Sequence, residues 1–553
     1  MKKVIWNVLL IMTISHWSVL GQDTLVMSRQ ELIDDTRELM TYIESIHPDP
    51  YLYSGGKIAF NRLFQHILQS IPAGGMDRDS YIRIISPLVA SISDGHTRIE
   101  TNLQFNRLKP GGIPLSFGIV ENIIYVDGVA TNDNLSIIGA KLLAVEGVST
   151  GIMLERLRKI EGIENYCHGM VRLRSYLRVE PYLSTLLPEW KDHSAIRAEF
   201  EINGSNREIT FRLPVEISSG FLRNESLLDI PSLDNRDFGW YFTSADRETA
   251  ILKIDNLTAY REMYESISES RSVTEELKVL YQRLNCKAAP SGFDDIMQGI
   301  PSAMDLFSEM AEAMKLAQTT NLIIDLSKNG GGNSLLGDIL TYCLYGKKAL
   351  AKIISESPPV KKYSPYYFEI KQGKSLDGLN REYARIQSYS LMENDYDFST
   401  EGFVELFESG RLDTLSGLRL KYKSVPSFLQ EIESGKYESY YTPGNVIVTS
   451  SAGTYSSAFT VLRYLNRSGA AIAGSVSAQS GNGFGNIIEV TLKNSGIKVS
   501  ISHDAYSAFP GNPRDRGMLE PDYRLTYSDL VKYRFDPNSE ILLALDVLKR
   551  KVK

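Results

Sequence analysis

A stretch rich in small and hydroxyl-bearing residues, from Asn445 to Asn486, is the part of this chain best suited to catalysis. The β-branched run 446–448 ends at the turn 450–453, and a helical pattern with one apolar face follows. This order predicts a strand, a tight turn and a helix, with Ser456 and Ser457 at the carboxyl end of a buried strand. A hydroxyl near the positive end of a helix suits a nucleophile whose attack creates an oxyanion. Serine is also a favoured N-cap, and this stretch alone favours that simpler interpretation of Ser456.

Two further motifs carry groups that such chemistry needs. The sequence Asp94-Gly95-His96-Thr97 ends a run of helical patterns and supplies an imidazole, the side chain used most often as a general base. A lone histidine more often bonds a neighbouring backbone group, and Asp94 is typical of a turn. The glycines 330–332 follow a buried apolar run and can expose backbone N–H groups as an anion nest. They lack the Gly-Lys-Ser/Thr ending of a phosphate loop, so nucleotide binding is not predicted.

Composition limits the class of protein and its partners. The chain has 553 residues, of which 43% are hydrophobic and 23% charged, which is typical of a globular protein of several domains. A net charge of -7 gives no basic surface for nucleic acid. The three cysteines and His168, His193 and His503 lack the spacing of metal ligands. We therefore predict neither a metal nor another cofactor.

The first 21 residues have the features of a secretory signal peptide. Lys2 and Lys3 precede a short apolar run that ends in small residues near Gly21. We expect export to the periplasm or the extracellular space. No later segment reaches the roughly 18 apolar residues of a membrane span, so the mature chain is predicted to have no transmembrane segment. The oligomeric state stays open.

Changes of pattern along the chain predict an α/β, multidomain protein. Residues 22–108 read as a small helical domain, and 109–215 as a β-rich domain of short strands and turns. An α/β core follows in two parts, 216–345 and 441–553, separated by a tyrosine-rich insertion at 346–440. Such insertions form lids, binding surfaces or plain scaffold, and the sequence does not decide between these.

Taken together, these segments resemble the C-terminal processing (tail-specific) peptidase family of serine hydrolases. The resemblance rests on the order of four motifs: Asp94 to Thr97, the glycine-rich segment Asp325 to Gly331, the serine turn, and Gly517 to Asp522. It implies a helical N-terminal domain, a PDZ-like domain at 109–215 and an α/β core of the ClpP/crotonase-like type. It also implies that the PDZ-like domain binds an extended substrate by its C-terminus, through addition to a sheet edge.

The resemblance assigns roles around the serine turn. Ser456 matches the family's nucleophile, although Phe459 stands where the family often has a glutamate. The oxyanion hole would use the N–H of Ser457 together with that of Gly330 or Gly331.

The base and its acid follow from the branch of the family. One branch uses a lysine roughly two dozen residues after the serine, but here no lysine occurs between Ser456 and Lys493, and Gln479, Ser480 and Gly481 fill that window. The chain is therefore closer to the tricorn-like branch, whose histidine base matches His96.

The acid that orients this histidine is predicted near Gly517. Arg514 occupies the usual glutamate position, which leaves Asp515 and Glu520 as candidates. The acid would fix the tautomer of the imidazole.

These assignments predict a secreted or periplasmic serine endopeptidase that cleaves peptide or protein substrates through an acyl-enzyme. The alternative is a catalytically decayed homologue that keeps the scaffold and binds a peptide or a small ligand. Phe459, Arg514 and the missing lysine favour this alternative. The sequence leaves the substrate and the cleavage preference open.

Overall fold

The computed structural model describes residues 26–100, 111–213, 220–267, 271–355, 359–370, 375–383, 390–397, 405, 409–410, 413–509 and 515–551. The signal peptide predicted for 1–21 and the departure at Arg514 lie outside these residues. Of the helices described, none combines the length and the apolar character that a bilayer span requires.

The helices are numbered in chain order. They are α1 (Arg29–Ile46), α2 (Lys57–Ser70), α3 (Arg78–Ser91), α4 (Thr150–Leu157), α5 (Tyr166–Tyr176), α6 (Glu180–Leu186), α7 (Arg261–Ile267), α8 (Glu275–Asn285), α9 (Phe293–Gln298), α10 (Ala303–Ala317), α11 (Leu335–Ser355), α12 (Pro365–Ile370), α13 (Leu376–Tyr383), α14 (Thr414–Lys421), α15 (Pro426–Ser434), α16 (Ser457–Arg467), α17 (Tyr527–Lys532) and α18 (Ser539–Lys551), with a short 3-10 helix at Asn132–Ile137. Helix α11 is kinked at Gly346, whose φ is 82°.

The strands form three sheets. They are β1 (Arg98–Glu100), β2 (Leu115–Val120), β3 (Ile123–Val129), β4 (Lys141–Val145), β5 (Val148–Ser149), β6 (Ala195–Ile202), β7 (Ser205–Arg212), β8 (Phe238–Phe242), β9 (Thr249–Ile254), β10 (Asn321–Asp325), β11 (Val360–Lys362), β12 (Tyr396–Asp397), β13 (Asn445–Ser450), β14 (Ala471–Gly474), β15 (Asn482–Thr491), β16 (Lys498–Ser507) and β17 (Tyr523–Arg524).

A mostly parallel sheet carries the predicted nucleophile. Its order is β17-β14-β13-β10-β9-β8, and only the pair β8–β9 is antiparallel. Helices α10, α11 and α16 contribute to the apolar core on one face, and α18 packs on the other. Strands buried on both faces read as continuous apolar runs, which explains the β-branched sequences of β10 and β13. Because these two strands are parallel neighbours, the loops that follow them meet at one edge of the sheet.

An antiparallel sheet of order β2-β3-β4-β6-β7, with β5 beside β4, forms the second layer. Helices α4, α5 and α6 cover it and share its own apolar core. The short strands and turns expected for 109–215 are thus present, and helix α5 lies against β2.

The third sheet joins both ends of the chain. Its order is β1-β16-β11-β12, with β15 also paired to β16. Helices α1 to α3 do not have a core of their own, because they share one with the β15–β16 hairpin and with Tyr363 and Tyr367 of the insertion. The sequence suggested a separate helical domain, since the strands that complete its core lie some 400 residues further along the chain.

Asp35 fastens the N-terminal helices to this hairpin. Its side chain is fully buried in α1, and its two oxygens accept hydrogen bonds from Asn494 N (2.9 Å), Asn494 Nδ2 (2.9 Å) and Ser495 N (2.7 Å) in the hairpin turn. A buried carboxylate with three donors therefore ties α1 to the turn of the β15–β16 hairpin.

We predict that Asp35→Ala lowers the free energy of unfolding by about 3 kcal/mol, because hydrogen bonds to a charged group are lost and their donors lose their acceptor. Asp34→Ala is the matched control, since Asp34 is exposed and its partners among the described residues are its helix neighbours Gln30 and Arg37. Its cost should stay within about 0.5 kcal/mol. Urea denaturation of both variants makes the comparison, and equal midpoints would contradict the role given to Asp35.

Candidate active site

Ser456 lies in a strained turn between β13 and α16. Its backbone has φ 54° and ψ -127°, which a residue with a side chain adopts only when its surroundings impose it. Ser456 occupies the N-cap position, but its hydroxyl makes no capping hydrogen bond. The simpler interpretation of Ser456 as a helix cap therefore does not describe its side chain.

Hydrogen bonds from the neighbouring loop hold this turn. Ser451 Oγ donates to the carbonyl of Ser327 (2.5 Å), and Thr454 Oγ1 donates to that of Leu326 (2.9 Å). The backbone N–H of Ser456 donates to Gln479 Oε1 (3.1 Å). The loops that follow β10 and β13 thus define the position of Ser456.

His96 reaches this turn from the other end of the chain. It lies between α3 and β1, and its Nε2 is 3.1 Å from Ser456 Oγ across 360 residues of sequence. Asp94 shapes the loop, because its carboxylate accepts from His96 N (3.0 Å), Thr97 Oγ1 (2.5 Å) and Ser502 Oγ (2.6 Å). The turn role predicted for Asp94 is present, and the carboxylate also ties the loop to β16.

The other nitrogen of His96 faces a tyrosine hydroxyl. His96 Nδ1 is 3.3 Å from Tyr455 Oη, and that hydroxyl donates to Glu164 Oε1. The carboxylates of Asp94 and Glu164 lie slightly further from Nδ1, at 3.7 and 3.9 Å. If Tyr455 donates to Glu164, its oxygen accepts from Nδ1–H, which leaves Nε2 free to accept the proton of Ser456.

Glu164 is buried and fully provided with donors. Besides Tyr455, its oxygens accept from Gly95 N (3.3 Å), Gln479 Nε2 (2.9 Å) and Ser480 N (3.0 Å). Burial raises the pKa of Glu164, although the nearby imidazole of His96 opposes this. Gln479 bridges the acid and the backbone of the nucleophile, since its oxygen accepts from Ser456 N.

A stack of three rings sets the plane of the imidazole. Tyr455 lies between His96 and His168, with ring centroids 5.0 and 5.2 Å apart. Burial and the charge of Arg172 lower the pKa of His168 to about 3, so this ring is neutral. A Cβ at Gly95 would collide with His168 and with the Tyr455 hydroxyl, which explains the glycine between Asp94 and His96.

The predicted oxyanion donors occupy different settings. Gly331, with φ 118°, packs so closely that a Cβ there would lie 2.8 Å from Ser456 Cβ. Its N–H already donates to Asn329 Oδ1 (2.9 Å). The N–H of Ser457 makes no hydrogen bond to a described residue, and its hydroxyl donates to the carbonyl of Gly332 (2.7 Å). Gly330 faces a different cavity.

Neither acid predicted from the sequence lies at His96. The side chain of Asp515 accepts from Gly517 N (3.1 Å), and its carbonyl accepts from Asn482 Nδ2 (2.7 Å). Glu520 is exposed and pairs with Arg524, four residues further along the chain. The prediction that one of them orients His96 is therefore wrong. The carboxylate near His96 Nδ1 belongs instead to Glu164, which lies in the segment before α5.

Glu164 was missed because its sequence context carries no periodic or motif signal, and its partners are 69 to 316 residues away. Gln479 was visible only as the residue occupying the window of the missing lysine. Phe459 is a buried core residue of α16, which accounts for an apolar side chain at the position of the family's glutamate.

A cavity of about 390 Å³ opens at Ser456 and His96. The insertion contributes Pro359, Lys361, Asp397 and Lys421 to its lining. The insertion is therefore a wall of this cavity rather than remote scaffold.

Asp94, His96 and Glu164 bring potential metal-ligand atoms within 4.8 Å of one another. The carboxylates are already bonded to the donors described above, so we interpret the cluster as support for the imidazole.

Comparison with known proteins gives the fold. No protein-family profile matches the sequence, and no curated protein matches it significantly. Mature CPAF is 13% identical, over 93% of this chain and 96% of that chain, with a TM-score of 0.52. A serine-to-alanine mutant of CPAF is 14% identical over the same shares, with a TM-score of 0.55. The photosystem II D1 C-terminal processing protease is 12% identical over 91% and 95%, with a TM-score of 0.39. The chain thus has a fold similar to that of CPAF.

Proposed function

We propose that this protein is a serine peptidase that cleaves peptide or protein substrates through an acyl-enzyme. The observation that carries the proposal is the 3.1 Å approach of Ser456 Oγ to His96 Nε2, with the opposite nitrogen of the imidazole held by Tyr455 and Glu164. The fold similarity to CPAF, for which a serine-to-alanine mutant has also been solved, supports it.

The geometry supports the following sequence of steps. Ser456 Oγ attacks the substrate carbonyl carbon while its proton passes to His96 Nε2. The resulting oxyanion is stabilised by the Ser457 N–H, which makes no hydrogen bond to a described residue. The protonated imidazole then gives its proton to the departing amine, and the C–N bond breaks. Water, deprotonated by the neutral His96, hydrolyses the ester and releases Ser456.

Tyr455 and Glu164 act on the imidazole rather than on the substrate. The carboxylate orients the tyrosine hydroxyl, which in turn accepts from Nδ1–H and keeps the tautomer that a general base needs. When Nε2 takes the serine proton, the charges of Asp94 and Glu164 stabilise the imidazolium.

The remaining parts of the proposal rest on the resemblance. A PDZ-like domain at 109–215 would bind the C-terminus of the substrate, and the ClpP/crotonase-like core would hold the catalytic groups. Export to the periplasm or the extracellular space follows from the signal peptide predicted at 1–21. The tricorn-like branch is supported by His96 and by Gln479 in the lysine window.

We predict that a fluorophosphonate probe labels Ser456 and that Ser456→Ala abolishes labelling. Hydrolysis of a peptide library should fall by several orders of magnitude, as when a triad member is removed. Ser457→Ala is the matched control, because it removes a neighbouring hydroxyl and keeps the backbone N–H. Unlabelled wild-type protein that still binds peptides would favour the decayed homologue instead.

We also predict the pH dependence of kcat/KM. Burial alone lowers the pKa of His96, but the Asp94 carboxylate beside Nδ1 and the charge of Glu164 outweigh it and raise that pKa above its usual value of about 6.5. The neutral imidazole is the active form, so kcat/KM should rise with pH through one ionisation above about 6.5. His96→Ala should be inactive. Lys493→Ala should keep the profile, since Lys493 lies in the hairpin turn beside Glu38.

The identity of the acid gives a further prediction. Glu164→Gln should lower kcat by on the order of a hundredfold or more and shift the ionisation to lower pH, because a charge that raises the pKa of His96 is removed. Tyr455→Phe should also lower kcat while leaving KM nearly unchanged. Asp515→Asn and Glu520→Gln serve as controls and should resemble wild type. Large losses in either control, with an active Glu164→Gln enzyme, would restore the assignment made from the sequence.

A further inference from the structure

A second cavity, of about 500 Å³, is bounded by the two loops that carry the catalytic groups. Residues 327–330 after β10 and 451–453 after β13 form one wall. Strands β2 and β3, the end of α5 and the start of α18 form the others, and neither Ser456 nor His96 lines it. Cavities of this size at the carboxyl ends of parallel strands are typical ligand sites.

Positively charged side chains line part of this cavity, and one of them, Arg174, has few hydrogen-bond acceptors among the described residues. The only described hydrogen bond of Arg174 is a long one, 3.5 Å from Nη1 to the carbonyl of Phe117. Arg223, by contrast, donates to Ser116 Oγ (3.1 Å) and lies 3.7 Å from Asp127. Burial lowers the pKa of Arg174, although the charge of Asp127 opposes this shift.

Acceptors in the same cavity also lack donors. Asp127 Oδ1 is buried and has no hydrogen-bond partner among the described residues. The carboxylate of Glu540, at the start of α18, accepts a hydrogen bond from its own backbone N–H and from no other described residue, and burial raises the pKa of Glu540 to about 7.

A tyrosine hydroxyl completes the set of unpaired groups. Tyr125 Oη has no described hydrogen bond, although its ring is held firmly. The ring packs on Gly118, where a Cβ would overlap it, and against Phe535. The hydroxyl is therefore presented to the cavity by a rigid support.

We propose that this cavity binds a short peptide of about dipeptide size with both ends free. Its carboxylate lies at Arg174 and Tyr125, and its ammonium lies at Asp127 and Glu540. Enclosed polar groups of both signs are costly unless each meets a partner, and a zwitterion satisfies donors and acceptors together. A ligand with a single charge would give a partner either to Arg174 and Tyr125 or to Asp127 and Glu540, but not to both pairs.

The test is isothermal titration calorimetry on Ser456→Ala protein with three probes: Ala-Ala, N-acetyl-Ala-Ala and Ala-Ala-amide. We expect Ala-Ala to bind and the loss of either end charge to weaken binding at least tenfold. Arg174→Gln should weaken the binding of Ala-Ala by a similar factor and leave the binding of Ala-Ala-amide unchanged. Glu540→Gln should also weaken the binding of Ala-Ala, but it should leave the binding of N-acetyl-Ala-Ala unchanged. Glu155→Gln in α4 and Arg158→Gln directly after it are the matched controls, because both side chains are exposed.

Three outcomes would overturn the proposal. Equal affinity for Ala-Ala and its acetylated form would show that the cavity binds only the carboxylate. The absence of binding would show that the cavity holds water and no peptide. Binding unchanged by Arg174→Gln would place the peptide elsewhere, including the catalytic cavity. If thermal melting shows that Arg174→Gln is unfolded, Tyr125→Phe supplies the test, with an expected loss for the two carboxylate probes only. Because binding is measured without turnover, the result is independent of the proposed peptidase activity.

Discussion

The buried carboxylate of Glu164 is the interaction on which the arrangement of the site depends. Its donors come from three separate segments: the loop of Gly95, the serine turn at Tyr455, and the stretch of Gln479 and Ser480 after β14. A carboxylate that leaves water must be hydrogen-bonded, or folding becomes unfavourable. The three segments can satisfy this requirement only in one mutual position, and that position brings His96 Nε2 to Ser456 Oγ.

The surrounding residues hold Ser456 in a strained backbone conformation. Its backbone conformation is costly for serine, and two glycines make room around it: Gly331 against its Cβ, and Gly474 against the carbonyl of Ser450. Ser477 Oγ also donates to the carbonyl of Thr454 at the turn. Residues of β10, β13 and β14 therefore impose the conformation jointly. A hydroxyl that is freed from capping its own helix becomes available to the imidazole.

Local signals in the sequence predicted the elements but not all of their contacts. The apolar run at 446–448 and the pattern after Ser457 gave β13 and α16, and the motif around His96 led to the histidine that meets Ser456. Glu164 could not be found in this way, because an acid is defined here by three-dimensional neighbours and not by its spacing from Gly517. For the same reason the sequence did not predict the core that α1 to α3 share with the β15–β16 hairpin, where Asp35 accepts a hydrogen bond from Asn494. Proximity across several hundred residues leaves no mark in periodicity.

The carboxylate of Glu164 also gives a physical reason for a glutamine, rather than a lysine, at position 479. Gln479 Nε2 lies 2.9 Å from Glu164 Oε2, so a lysine ammonium placed there would form a close ion pair. An opposite charge at such a distance favours the protonated amine, and a lysine so paired could not act as a neutral base near pH 7. The amide avoids this, because it donates to Glu164 without neutralising it and accepts from Ser456 N. A buried acid at 164 and a lysine base at 479 are therefore incompatible, and the charge of Glu164 remains available to the imidazole of His96.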